Sequence, residues 1–447
     1  MITNWEKFFF NNERLGKLAL FNVCMLVFSL PITSTVPVLL TINSTPINLG
    51  LRVIYLSISL YIILGACLKK QSKYLTLWGW LFLLFWVMYS IRLLYDIEIR
   101  GIQSTYPKFK FYTLAYGSGF IAALGTLLNT RYIDLSAAKK WMYNTVFLAN
   151  MSIFLMVFYL FKTLNPLQLA LRVNFSIQLD RNTLMENVLN PIAISYQGEV
   201  MALLSIYFLL FEKHSFLKKI FFRIGMLLGL YILIVGGSRG PLVSFSLLLI
   251  FLLLCKMYRA RKTALYYAKL IVVPIISIAF FILFIVPRIP WEKIAIFNRM
   301  VSWLEDDYTN SLDNRDERYE WAWQAFLDNP IFGSQFVDLY NGYPHNIVLE
   351  SLMALGLIGG SVLISLILSV LYKVFFDVIN HGKLIFFSIL ALSQILACMT
   401  SGSLYAAYPM WIVLAFFGAL SYKKKETKIN WTRPFVNLTF LKPIKKN

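Results

Sequence analysis

The chain predicts an all-α polytopic membrane protein with about twelve transmembrane helices and one large extracytoplasmic loop containing short helices. Three observations carry that expectation. Hydrophobic residues make up 58% of the 447 and charged residues only 14%, against roughly 25% charged in soluble domains. Apolar blocks of about 17 to 25 residues, each long enough to cross the hydrocarbon core as a helix, recur along the whole length. The one long polar interruption, residues 288–345, spans 58 positions and plunges back into apolar sequence.

Taken in order, Trp5, Lys7, Arg14 and Lys17 precede a first apolar block at 18–40. Its length, and the lack of a small-residue cleavage site, favour a retained helix over a cleaved signal peptide. Further blocks follow at 48–68, 74–95, 109–129, 142–162, 191–211, 219–236, 241–258, 265–287, 346–372, 384–401 and 404–421, forming one membrane domain over 1–447. An even count puts both termini on one side. If that side is cytoplasmic, inner segments hold 28 of the 42 basic residues, as the positive-inside rule requires. The loop at 288–345 then lies outside, with smaller outer loops at 96–108, 163–190 and 237–240, while the basic tail 422–447 anchors to anionic lipid inside. Topology thus accounts for a net charge of +20 without a nucleic-acid partner. Cys24, Cys67, Cys255 and Cys398 sit within or at the edge of apolar blocks and match neither a disulfide framework nor a zinc pattern.

Chemistry is expected on the outer face. Gly236-Gly237-Ser238-Arg239-Gly240-Pro241 has the makings of an outward-facing helix start, with serine suited to cap it and proline to its first turn. Such a start attracts anions and Arg239 adds a planar charged fork; the competing reading is a tight turn with a snorkelling arginine. Pro344-His345-Asn346 opens the next inward-running helix in the same way. His214 and His381 fall in cytoplasmic loops, so His345 is the only histidine placed outside. Near a helix N-terminus an imidazole tends to stay neutral and can serve as a general base, although a histidine that merely caps the helix fits equally.

Between these sites, Arg315 to Leu327 reads as a short helix stopped by Asn329-Pro330. Arg315 and Arg318 share a face, where they either clamp phosphates or pair with acids such as Asp316 and Glu317. Tyr319, Trp321, Trp323 and Tyr343 offer flat faces for sugar rings or form an interfacial belt. The loop holds ten acids against five bases, so any phosphate there needs specific geometry rather than a general positive field. Arg92 and Glu199 lie inside apolar blocks and are candidates for a lipid-headgroup path; Arg172 and Arg181 precede Asn190-Pro191 in an outer loop.

The Ser238-Arg239-Gly240 helix start, the arginine-bearing loop ahead of Asn329-Pro330-Ile331-Phe332-Gly333, and the run Tyr343-Pro344-His345-Asn346-Ile347-Val348-Leu349-Glu350 with Leu355-Gly356-Leu357-Ile358-Gly359 together resemble the O-antigen ligase/polymerase superfamily. The resemblance covers roughly 180–375 and rests on the order and spacing of these short motifs. It implies a mostly helical, C-type inverting glycosyltransferase in the cytoplasmic (inner) membrane, metal-independent and without a cofactor. The implied donor is an undecaprenyl-pyrophosphate-linked oligosaccharide, and the acceptor is a glycan or lipid A-core. Carried onto this sequence, Arg239 with Arg315 or Arg318 holds the pyrophosphate, Arg181 matches the family's additional arginine, and His345 takes a proton from the acceptor hydroxyl. A polymerase of O-antigen or capsule is favoured over a ligase. A lipid-linked oligosaccharide flippase or transporter is the reading from another class, but such proteins usually show duplicated halves and short loops, neither of which is found here.

Overall fold

The computed structural model describes residues 10–40, 44–70, 75–103, 107–162, 191–260, 315–337 and 342–420. The expected span at 265–287, the outer segment 163–190 with Arg172 and Arg181, most of the first half of the long loop and the tail 422–447 lie outside the described residues.

Helices dominate what is described. In hydrocarbon every backbone N–H and C=O must find a partner within its own segment, and an apolar helix does this unaided. In chain order they are α1 (Asn12–Phe28), α2 (Leu30–Leu39), α3 (Ser44–Leu68), α4 (Leu77–Leu94), α5 (Lys108–Tyr112), α6 (Ala122–Asn129), α7 (Leu135–Phe161), α8 (Pro191–Phe211), α9 (Phe216–Gly236), α10 (Arg239–Ala260), α11 (Arg315–Asp328), α12 (Ile347–Asn380), α13 (Ile385–Thr400) and α14 (Tyr408–Ala419). π-Helical turns extend α4 through Ile99 and join α5 to α6. Among the described residues, eight helices are long and apolar enough to cross a membrane, and Ile385–Thr400 and Tyr408–Ala419 are shorter apolar helices. The chain is a multi-pass helical membrane protein.

The expected first block is not one helix. It breaks at Ser29, whose hydroxyl donates back to the Met25 carbonyl at 2.5 Å while its own carbonyl accepts from Ile32 N and Thr33 N. A serine bonded to the preceding turn, followed by Leu30-Pro31, bends the path because proline has no N–H to continue the ladder.

Three packing features position the region of interest. Hairpin α8–α9 is held at close range by Gly198 and Gly229: a Cβ on Gly198 would stand 2.4 Å from Leu233 N, and one on Gly229 would stand 2.5 Å from Ala202 N. Small residues at such crossings let membrane helices approach backbone to backbone. Around α14 lies an aromatic core of Phe82, Phe85, Trp86 and Trp411, with Trp411 Nε1 donating to Leu404 O at 2.9 Å. Finally, α11 packs on α12 through Ala322, Ala325 and Met353.

Three of the cysteines are buried and Cys67 is exposed; all four are free thiols.

Candidate active site

Helix α12 begins two residues beyond His345. Asn346 is its N-cap: the side-chain Oδ1 accepts from Val348 N at 3.0 Å and Leu349 N at 3.1 Å. The capping role is therefore taken by asparagine, which removes helix capping as the reason for the histidine. His345 itself sits at φ 57°, a left-handed conformation uncommon for a non-glycine residue. That conformation brings its ring to α11, where Arg318 Nη1 lies 2.7 Å from His345 Nε2. A guanidinium carries donors only, so Nε2 accepts and the ring proton resides on Nδ1. Tyr343 closes the other side, its ring centroid 4.4 Å from that of His345 in an edge-on arrangement.

The second expected helix start is present at Arg239, where α10 begins. Gly237 terminates α9 in the left-handed region at φ 62°, and Ser238 Oγ donates to Gly236 O at 3.5 Å. Both starts meet the same feature, the C-terminal end of α13. Asn346 Nδ2 donates to Met399 O at 3.3 Å, while a Cβ on Gly240 would stand 3.1 Å from Thr400 Oγ1. Tyr196 on α8 shares a 2.7 Å hydrogen bond with the Thr400 hydroxyl and completes the contact.

Arg318 lies on the face of α11 that carries Ala322 and Ala325, at i, i+4 and i+7. Packing of those alanines on α12 therefore turns Arg318 toward the His345 end. Arg315 is the first residue of α11, and its side chain lies outside the described residues, as does Arg181.

How α11 is registered against α12 follows from the two glycine motifs. The turn after α11 places Gly333 at φ 76°, and α12 is kinked at Gly356, where φ is 64° and ψ −160°. These glycines dock the turn onto the kink. A Cβ on Gly333 would stand 2.4 Å from Ala354 C, and one on Gly356 would stand 2.3 Å from Ile331 O. The kink frees helix groups, which bond across: Ser334 N donates to Met353 O at 2.8 Å and Leu357 N to Pro330 O at 2.7 Å. Only glycine supplies both the positive φ and the space.

The same turn is gripped from α4. Arg92 Nη2 donates to Phe332 O at 2.8 Å and Gly333 O at 2.9 Å, and its Nη1 donates to Ser334 O at 3.2 Å. Arg100 Nη1 reaches Ser334 O at 2.7 Å. Buried Asp96 stands between the two arginines, 3.5 Å from Arg92 and 3.1 Å from Arg100, and accepts from Phe336 N at 3.0 Å. Arg92, expected on a lipid-headgroup path, is thus engaged with the backbone of the 332–334 turn.

Glu199, the other residue expected on that path, is fully buried on α8. Its Oε1 accepts from Ser244 Oγ of α10 at 2.7 Å and Ser393 Oγ of α13 at 3.0 Å, which ties the helix bearing Arg239 to α13.

Three participants escaped the sequence reading. Asp96 and Arg100 continue the Arg92 spacing at i+4 and i+8, a signal readable once Arg92 is noticed. Glu350, quoted only as part of a motif, is buried and its Oε2 accepts from Leu404 N at 2.9 Å, which fixes the turn before α14 beneath His345.

Among the described residues no cluster of three or more histidine, cysteine or acidic side chains has the arrangement of a metal site.

No curated protein and no solved structure matches the chain. Residues 224–364 do match a family model, described as O-antigen ligase. The matched segment carries Arg239, Arg318, His345 and both docking glycines. That match, over less than half of the chain, supports the resemblance to the O-antigen ligase/polymerase superfamily drawn from the motifs.

Proposed function

We propose that the chain is an inverting membrane glycan transferase of surface-polysaccharide assembly, moving oligosaccharide from undecaprenyl pyrophosphate to an acceptor sugar on the outer face of the cytoplasmic membrane. The observation that carries this reading is the 2.7 Å contact between Arg318 and His345, set where the Arg239 helix start also meets the end of α13. A pyrophosphate is already a good leaving group, so what the reaction needs is matched charge where the departing oxygens gather electron density. Arg318 and Arg239 supply it, with Arg315 and Arg181 as further candidates, and this requires neither a metal nor a nucleotide.

The same contact is the basis for an order of events. Arg318 donates to the Nε2 lone pair. When pyrophosphate arrives, its oxygens compete for the guanidinium, since charge-assisted bidentate pairing is stronger than a bond to neutral imidazole. Nε2 is then free to take the proton of the acceptor hydroxyl. The new bond forms from that oxygen to the anomeric carbon as the bond to pyrophosphate oxygen breaks, and the electron pair leaves with the pyrophosphate. Attack opposite the leaving group inverts the anomeric centre.

Polymerase activity, extending repeat units on the lipid carrier, is the leading form. The second form, joining finished glycan to lipid A-core, is favoured by the description of the matched family. A deletion strain complemented with wild type, His345→Ala or Arg318→Ala, with surface glycan run on a gel, tests both. The proposal predicts that neither variant restores the wild-type ladder at equal protein level; full restoration by either sinks it. In the uncomplemented strain, single repeats still attached mark a polymerase, and long carrier-linked glycan with bare core marks a ligase.

A further inference from the structure

Helix α11 runs beside α12 in the same direction. Arg318 meets His345 before α12 begins, Ala322 and Ala325 pack on Met353, and Pro330 O accepts from Leu357 N at 2.7 Å. From Arg318 to Pro330 the chain therefore descends about 18 Å along α12, from the His345 end to the Gly356 kink. It turns at 330–334 and heads back, with Phe336 N bonded to Asp96 beside α4 and Tyr343 again on His345.

Two membrane-spanning helices measure the depth of that turn. On α4, whose apolar run starts at Leu77 behind its Thr76 cap, Arg92 lies 15 residues along, or about 22 Å. On α12, Lys373 ties the far end to the last carbonyls of α14, donating to Phe417 O at 2.7 Å and Gly418 O at 3.2 Å. Leu357 stands 16 residues from Lys373, or about 24 Å. Arg92 and Leu357 both hold the 330–334 turn, and a hydrocarbon core is about 30 Å thick, so both counts put the turn about 6–8 Å beneath its surface.

The turn is built for that setting. Non-helical backbone in hydrocarbon must be satisfied by the protein itself, and five consecutive carbonyls are. Pro330 O and Ile331 O accept from Leu357 N and Ile358 N, Phe332 O and Gly333 O from Arg92 Nη2, and Ser334 O from Arg92 and Arg100. The side chains do the opposite: Ile331 is 55% and Phe332 70% exposed, beside Leu357 at 54% on the face of α12 that meets lipid. A turn in water needs neither feature, because solvent bonds its carbonyls.

We propose that residues 330–334 form a shallow re-entrant turn, with Ile331 and Phe332 among the phospholipid acyl chains of the leaflet on the His345 side. The exposed apolar surface of the turn is continuous with that of α12, which selects lipid over a partner protein. The polar interruption at 288–345 then includes an element that returns to the membrane, and α11 rises from it to set Arg318 and His345 at headgroup height. That this height suits a phosphate tethered to a membrane-borne chain rests on the transferase reading; the placement of the turn does not.

Spin labels on the full-length protein in phosphatidylcholine–phosphatidylglycerol vesicles test the placement. Ile331→Cys, Phe332→Cys, Leu357→Cys and Trp323→Cys are made singly in a Cys67→Ser background; all four side chains are exposed, so each substitution removes little packing. Dissolved oxygen concentrates among acyl chains, whereas a neutral nickel chelate stays in water. Labels replacing Ile331 and Phe332 are expected to collide with oxygen in preference to the chelate, as the label replacing Leu357 does. The label replacing Trp323, about 12 Å higher on α11, is expected to favour the chelate. Preference for the chelate at Phe332→Cys overturns the proposal. Shielding of that label from both reagents, while the one at Leu357→Cys meets oxygen, assigns the turn to a second copy or another protein and overturns it equally. If Phe332→Cys fails to insert, Ile331→Cys gives the same reading from the neighbouring position. No glycan transfer is measured, so failure of the transferase reading leaves these outcomes unchanged.

Discussion

His345 owes its position to the residue that follows it. Because Asn346 caps α12, the histidine is free to take the left-handed backbone conformation and turn its ring to Arg318. Replacing it separates structure from chemistry. His345→Gly relieves the strain of a non-glycine residue at positive φ, so the variant is predicted to stay within about 1 kcal/mol of wild type in thermal melts. Its transfer rate is predicted to fall by about 10²–10⁴, the usual contribution of a positioned base; a glycine variant with wild-type turnover removes the histidine from the reaction. Asn346→Ala is expected to cost about 1 kcal/mol of stability and to misplace His345, lowering both melting temperature and rate. At this scale the sequence was informative. Counting histidines by side singled out His345, and the arginine pair three apart was visible. That Arg318 is the one to reach His345 depends on how Ala322 and Ala325 seat α11, which no local pattern displays.

The glycine interlock governs the elements. Gly356→Ala sets a Cβ 2.3 Å from the Ile331 carbonyl and forces an L side chain to φ 64°. The turn after α11 cannot stay docked, so Arg318 loses its register to His345. The predicted outcome is a protein that inserts in the membrane yet melts earlier and is inactive, whereas the neighbouring exposed Leu357→Ala melts and turns over as wild type. Asp96→Ala tests the grip from α4: it leaves Arg92, Arg100 and the Phe336 N–H without their shared carboxylate and is predicted to cost about 3–5 kcal/mol, read as lost yield and a lower melting point. The two glycine motifs were visible as strings long before they had a reason. Their meaning lies in backbone contact between segments some twenty positions apart, which periodicity cannot reveal. The break at Ser29 was missed for a different cause, since an apolar block of the right length hides a hydroxyl that bends it.

At the scale of the whole molecule, eight of the expected apolar blocks coincide with described helices long and apolar enough to cross a membrane, and 384–401 and 404–421 coincide with shorter apolar helices. Orientation is the expectation that rests on charge alone. It predicts that Trp323→Cys, on an exposed position of α11, reacts in intact cells with a membrane-impermeant maleimide in a Cys67→Ser background. Lys218→Cys, at the opposite end of the bundle, reacts only after permeabilisation. The reverse labelling pattern would put the loop on the cytoplasmic side, away from the carrier's outward-facing pyrophosphate.

The central claim is that Arg318 and His345 act together on a lipid pyrophosphate. The most direct measurement is release of undecaprenyl pyrophosphate by purified full-length protein, given an undecaprenyl-pyrophosphate-linked oligosaccharide and its acceptor. Wild type is predicted to release it in step with glycan transfer. Arg318→Lys is predicted to release it more slowly, with a raised donor KM, and His345→Gly to bind donor without releasing it. Release by His345→Gly at the wild-type rate would contradict the account.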